Sequence, residues 1–354
     1  MKKNSRDILI LKECPLCNSK NIKNIFKLSD APLEDKFSKN IELAVIEKKY
    51  PLSLKICNVC SVIFLKELVN KNLSYKNYTY TTNLTSGLKD HYKNYVKQIN
   101  EIDKLSKNSF IIDIGSNDGT FLKNFLKYKS KILGVEPSKK ISLIAKKNNI
   151  QTINKYFDST TALAIKNNYP SPSIITSNYT FANITNVNIF LRNVKKIINN
   201  STILIIETGY HPKQFRKYMF DYIYHEHFLY FSLKSLILLL KKYNLTVFDV
   251  KITNPKGGSI RVYSSQNKNI KISSNIKKIL KTEEKENIYK SIQYKIFFKN
   301  LMKKKNNLLN LLDKLKNNNK NIVGFGASHS TTTLIYNFDL RKYMDFIIDN
   351  NKSK

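Results

Sequence analysis

Residues 110–121, FIIDIGSNDGTF, set a largely apolar run directly before a glycine-bearing loop, and the helix-forming stretch GTFLKNFLKY follows. A short apolar run bounded by Gly reads as a strand buried on both faces, as in a parallel sheet covered by helices. The pattern then recurs. KILGVEP is a second strand, ISLIAKKNN a second helix, and SIITSN and TILIIE are later strands. Strands alternating with helices predict an α/β, Rossmann-like domain with right-handed crossovers. In the loop, Gly115 permits a tight turn and Gly119 lets the next helix pack closely. Asn117 and Asp118 lie between them, and Asp118 can hold the cationic amino end of a ligand. Glu136 stands 21 positions after Gly115 and can accept hydrogen bonds from both hydroxyls of a ribose. Asn178 falls at the end of a later strand, where a bound cofactor would pass, unless it is an ordinary loop asparagine. The glycine spacing differs from the dinucleotide G-x-G-x-x-G, which argues against hydride transfer. A generic doubly wound fold stays open at this point.

The cysteines constrain the N-terminus. All 4 of them, Cys14, Cys17, Cys57 and Cys60, form two Cys-x-x-Cys pairs, with 39 residues between Cys17 and Cys57. Two such pairs supply the four thiolates of a tetrahedral zinc ion, a closed shell whose role is folding rather than catalysis. A redox Cys-x-x-Cys is the rival reading. Residues 1–75 are thus expected to be a zinc-binding module. A Tyr-rich connection, SYKNYTYTTN, leads to the domain at 76–210. Residues 211–354 form a third unit, with a helix at SLKSLILLLKKYN and strands at LTVFDVKITN and GSIRVYSSQ. Two Lys-rich amphipathic helices follow between 276 and 315. NIVGFGASHSTTTLIYNF then repeats the strand, glycine loop and helix order before a last strand, MDFIIDN.

The formal charge of +35, from 61 Lys+Arg against 26 Asp+Glu, invites a nucleic-acid reading and, with the cysteines, an RNA methyltransferase. The Lys residues are spread along the whole chain rather than clustered, so a compositional bias explains them better and no nucleic-acid partner is expected. A diffuse positive field still favours an anionic substrate. No run of about 18 apolar residues marks a membrane span, and the short N-terminal run Ile8–Leu11 lacks signal-peptide form, so a cytoplasmic location is expected. A monomer is compatible with everything above, and nothing fixes the oligomeric state.

Two of the 5 His residues share one tripeptide in FDYIYHEHFLYFS. A His suits proton abstraction near neutral pH; Glu226 could orient an imidazole, and Tyr222 and Tyr224 could hydrogen-bond an oxyanion. On an extended backbone His225 and His227 share one face and Glu226 the other, so all three address one ligand only if the backbone is irregular. A His-x-His metal site and a satisfied polar loop are the alternatives.

The ordered motifs CPLC, APLEDKF, YPLSLKICNVC, YTYTT, DIGSNDGTFL, GVEPS, SNYTFANI, FDYIYHEHFLYFS, GGSIRVY and GFGAS resemble those of the S-adenosylmethionine (SAM)-dependent sugar C-methyltransferases, enzymes acting on nucleotide-linked 4-keto-deoxysugars. The resemblance covers nearly the whole chain. It implies a zinc module, a SAM-binding class I methyltransferase domain and a second Rossmann-like domain that helps hold the sugar nucleotide, a dTDP-sugar. It implies His227 as the general base, supported by Tyr224 and Glu226, with His225 assisting at the oxyanion and Tyr78 reaching the active site. Asn183 stands where the family has a His, His329 where a Lys usually follows the Gly-Ala loop, and Glu34 and Asp35 where Ala-Asn is usual. The C-terminal domain is expected to be shortened or incomplete. An inactive SAM-binding relative is the alternative these departures raise.

Overall fold

The computed structural model describes residues 7–34, 47–70, 73 and 80–350. Its strands are β1 (Ile8–Ile10), β2 (Ile22–Ala31), β3 (Tyr50–Cys57), β4 (Ile63–Leu65), β5 (Glu67–Val69), β6 (Phe110–Ile114), β7 (Lys131–Val135), β8 (Thr152–Ile153), β9 (Ile174–Asn178), β10 (Ile203–Gly209), β11 (Leu229–Tyr230), β12 (Thr246–Thr253), β13 (Ser259–Ser265), β14 (Val323–Phe325) and β15 (Phe346–Ile348).

A seven-stranded sheet, ordered β12-β13-β10-β9-β6-β7-β8, forms the centre. The run from β10 to β8 is parallel, and β6 and β9 are buried along their whole length, as central strands of a parallel sheet are. Helices cover it; in Leu88–Ile102 the buried residues Leu88, Tyr92, Tyr95, Val96 and Ile99 recur at helical spacing. The stretch expected to open a helix after the glycine loop instead forms 3-10 turns over Leu122–Tyr128, ended by Lys129 at φ 58°.

One boundary is corrected. A division at Tyr210 cuts through this sheet, because β13 pairs antiparallel with β10 and β12 with β13. The chemical reason is legible in the register. Glu207 on β10 lies opposite Arg261 on β13, and the buried guanidinium donates to the carboxylate from Nε at 3.2 Å and Nη2 at 3.1 Å. Tyr95 stacks its ring on the guanidinium. Burial alone would raise the Glu207 pKa, but Arg261 and His91 hold it low.

The N-terminal module is a four-stranded antiparallel sheet, β11-β4-β3-β2, flanked by the β1–β5 pair. Its outermost strand, β11, comes from the far side of the chain. Phe26 of β2 stacks on Phe298 of the helix Ser291–Asn317, the second of the two Lys-rich helices. At the C-terminus, β14 and β15 form a parallel pair around Gly326 (φ 97°) and the helix His329–Phe338. That helix leans on the rest of the chain: Thr333 Oγ1 donates to the Ile223 carbonyl (2.9 Å) and Asn337 accepts from the Ser29 amide (2.6 Å). No helix among the described residues is long and apolar enough to cross a membrane.

Candidate active site

A cavity of about 600 Å³ opens at the carboxyl ends of β6, β7, β9 and β10, where ligands bind in open α/β sheets. Its far wall is the segment Tyr222–His227 and the start of the helix His329–Phe338, and Tyr80, Thr82 and Thr85 close over it.

The glycine loop is built for close approach, against protein as much as ligand. Gly115 sits at φ 81°, and a Cβ there would fall 2.1 Å from Thr180 Oγ1. Gly119 (φ 78°) lies outside the cavity and lets Ile150 pack, since a Cβ would meet its Cγ1 at 2.6 Å. Asn117, itself at φ 49°, lines the cavity and holds the roof: its Oδ1 accepts from the Thr82 amide (2.9 Å) and its Nδ2 donates to the Tyr80 carbonyl (3.1 Å). Asp118 is corrected. It does not face the cavity; its carboxylate accepts from the amides of Asn83 (2.9 Å) and Thr120 (3.1 Å), so its charge is already used in shaping the loop.

The carboxyl that does face the cavity from this loop's strand is Asp113, which the sequence reading passed over although it is the one charged residue within FIIDI. Thr176 Oγ1 (2.6 Å) and Asn178 Nδ2 (3.2 Å) donate to it, and burial pushes its pKa up to about 7. Asn178 is left with a buried Oδ1 that has no protein partner. Glu136 also lines the cavity; it accepts from the amides of Asn117 (3.1 Å) and Ser138 (2.8 Å), and burial raises its pKa.

Opposite this wall the His-Glu-His tripeptide is irregular, closed by a turn in which the His227 amide donates to the Tyr224 carbonyl (3.1 Å). The turn splits the three residues. Tyr224, Glu226 and His227 line the cavity. His225 is corrected: it turns away into the zinc module, where its Nδ1 meets Glu34 Oε1 at 2.8 Å and its Nε2 the Tyr50 carbonyl at 3.2 Å, so it cannot reach an oxyanion in the cavity. Tyr78 lies outside the described residues; Tyr80 of the same YTYTT motif lines the cavity. Asn183 and His329 line it too, with His329 Nε2 4.0 Å from Glu226.

His227 is 8% exposed, packs against Tyr230 at 4.7 Å between ring centroids, and its Nδ1 has no hydrogen-bond partner. Burial, helped by the Lys256 cation, drives its pKa down to about 3, so the ring is neutral at pH 7. Burial, reinforced by Glu226, raises that of Tyr224 well above the usual phenol value and keeps it a hydrogen donor. Lys256 was also missed from sequence. It holds φ 51° beside Gly257 and Gly258, and its ammonium lies over the rings of Tyr80 and Tyr179 in the cavity wall. A non-Gly residue in a left-handed conformation at a cavity is a signal of function, but one that only coordinates reveal.

Away from the cavity, the four cysteine sulfurs converge to within 4.8 Å of one another, with Cys14–Cys60 at 3.5 Å and Cys17–Cys57 at 3.6 Å. Zinc bound tetrahedrally at about 2.3 Å requires sulfurs roughly 3.8 Å apart, so the cluster fits that ion. The crowding also splits the thiols: contacts from Cys14 and Cys60 pull Cys57 down to about 2, while contacts from Cys14 and Cys57 push Cys60 far up. Four sulfurs at this distance form the ligand set of a single cation site.

Comparison with known proteins agrees with these parts. The chain matches family models described as a zinc binding domain (residues 14–75), a methyltransferase domain (89–250) and a C-methyltransferase C-terminal domain (254–354). It is 22% identical to the C-methyltransferase NovU of Streptomyces niveus over 324 residues, 91% of this chain and 77% of that protein. Similar solved structures include a SAM-dependent methyltransferase from Archaeoglobus fulgidus (TM-score 0.41, 11% identity, 50% of this chain and 94% of that one). Another is magnesium protoporphyrin IX methyltransferase from Synechocystis PCC 6803 with bound SAM (TM-score 0.39, 8% identity, 51% and 79%).

Proposed function

We propose that the chain is a SAM-dependent C-methyltransferase with an N-terminal zinc-binding domain and that it methylates a carbon next to the ketone of a nucleotide-linked 4-keto-deoxysugar. One observation carries the reading. His227, Tyr224 and Glu226 share a single cavity with the Gly115 loop, Glu136 and Asn178.

The cofactor fits the wall it would occupy. Glu136 offers carboxylate oxygens for ribose hydroxyls, and Asp113, with the unpartnered Asn178 Oδ1, offers acceptors to an ammonium group. SAM, when bound, supplies an electrophilic methyl group.

The protein's own work is acid–base and electrostatic. A carbon beside a ketone is only weakly acidic. Neutral His227 takes the proton from that carbon, leaving the electron pair as an enolate. The Tyr224 hydroxyl donates a hydrogen bond to the enolate oxygen, where charge develops; the enolate carbon would take the methyl of bound SAM as the methyl's bond to sulfur breaks, and the neutral thioether would leave. Lys256 adds a cation on the same side, which both keeps His227 unprotonated and suits an anionic substrate. Glu226 and His227 are buried in the cavity wall, so these interactions act at a lower dielectric than in water. Asp113 stands in the role the sequence reading assigned to Asp118.

Incubation with SAM and a panel of dTDP-linked 4-keto-6-deoxyhexoses, read by mass spectrometry, tests the reaction. One added methyl that survives as a carbon-bound group is expected. His227→Asn should lower turnover by about 10²–10⁴-fold while SAM still binds. Near wild-type turnover in that variant removes His227 as the base.

A further inference from the structure

The sequence singled out His225 for the cavity and Glu34 for no role; the fold joins them elsewhere. Glu34 lies just past the end of β2 in the zinc module, and its side chain and that of His225 are both fully buried. A single oxygen, Glu34 Oε1, accepts from the His225 backbone amide (3.1 Å) and stands 2.8 Å from the His225 Nδ1. The other ring nitrogen faces the Tyr50 carbonyl at the start of β3. Both ring nitrogens therefore face oxygens, the Glu34 carboxyl on one side and the Tyr50 carbonyl on the other, which fixes the plane of the ring. A carboxylate is not left in the interior of a small sheet without such a partner.

The location matters more than the pair itself. The turn that projects Tyr224, Glu226 and His227 into the cavity is anchored at its two ends by backbone contacts. Thr333 holds the Ile223 carbonyl, while Leu65 and Ala182 bond Phe228. At the centre of the turn, Glu34 grips both the main chain and the ring of residue 225. Swinging His225 to the zinc module is what turns its neighbours 226 and 227 the other way.

We propose that Glu34 is a positioning residue of the active site: acting through His225, it fixes the turn so that Glu226 and His227 face the substrate, and it makes the zinc module part of the catalytic apparatus. The proposal rests on the function argued above for that cavity.

The test uses the full zinc-loaded chain and Glu34→Gln. Turnover of the dTDP-4-keto-6-deoxyhexose that the wild type accepts should fall about 10-fold or more, because the base is displaced. SAM affinity and zinc content should stay at wild-type values. His225→Asn should show a similar loss, and the double variant should be no worse than the poorer single one, as for two residues acting as one unit. Unchanged turnover, additive losses, or a parallel loss of zinc and SAM binding would each overturn the proposal. If the wild type methylates none of the sugars, the substrate reading fails and ¹⁵N spectra of the His rings decide the proposal. A shifted His227 signal in Glu34→Gln supports it, and an unchanged one refutes it.

Discussion

Replacing Gly115 by Ala is the most quantitative probe of the cofactor loop. Two costs are visible. The residue sits at φ 81°, and an L-residue in the left-handed region costs about 1–2 kcal/mol. The new Cβ would also lie 2.1 Å from Thr180 Oγ1, 2.6 Å from its Cγ2 and 2.7 Å from its Cβ. Thr180 cannot swing one atom aside to relieve that, because all three atoms are too close. Overpacking of this kind costs about 1–3 kcal/mol. Together these effects predict that Gly115→Ala loses about 2–5 kcal/mol between folding stability and SAM binding. The loop also sets the Asn117 amide on Glu136, so part of the loss should appear as weaker SAM binding. Deleting the obstacle separates the two costs: Thr180→Gly in the Gly115→Ala background should recover the packing share and leave about 1–2 kcal/mol of backbone strain. Chemical denaturation and calorimetric SAM titration of the four proteins give the cycle. The reasoning fails if Gly115→Ala matches wild type in both assays, or if Thr180→Gly recovers nothing.

Two further predictions concern protonation. His211 is buried against Phe215 and Tyr294 with neither ring nitrogen bonded, and burial drives its pKa from 6.5 to about 3. The unfolded chain binds a proton there that the folded chain refuses, so stability falls as pH drops from 6.5 towards 3, by roughly 2 kcal/mol at pH 5. His211→Leu should remove that share of the acid sensitivity; equal losses of stability between pH 8 and pH 5 in both proteins would exclude it. Asp113 acts on binding rather than on folding. With its pKa near 7 it is ionised above neutrality and protonated below, so SAM affinity should weaken as pH falls through 7, by up to about tenfold per unit. Asp113→Asn should flatten the profile, and a wild-type Kd that is constant from pH 6 to 8 would show that Asp113 does not hold the ammonium group.

What the sequence determined by itself was whatever local pattern and covalent spacing control. The apolar run FIIDI specified a buried strand, and two Cys-x-x-Cys turns specified a four-sulfur cluster, because in both cases the chemistry lies within a few residues of chain. Gly115 and Glu136 were legible as strand-end positions, and both line the cavity at the carboxyl edge of the sheet. Tertiary structure decided which way each side chain faces. Asp113 in β6 and Asp118 in the loop after it are five residues apart, yet only the fold shows Asp118 spent on the amides of Asn83 and Thr120 and Asp113 facing the cavity. His225 and His227 are two residues apart, and a single turn sends one to Glu34, 191 positions away, and the other to the cavity. Strand β13 lies beside β10 with Arg261 opposite Glu207, a pairing no local pattern announces. A buried charge goes where its partner is, and that partner lies far along the chain, beyond the reach of any local pattern.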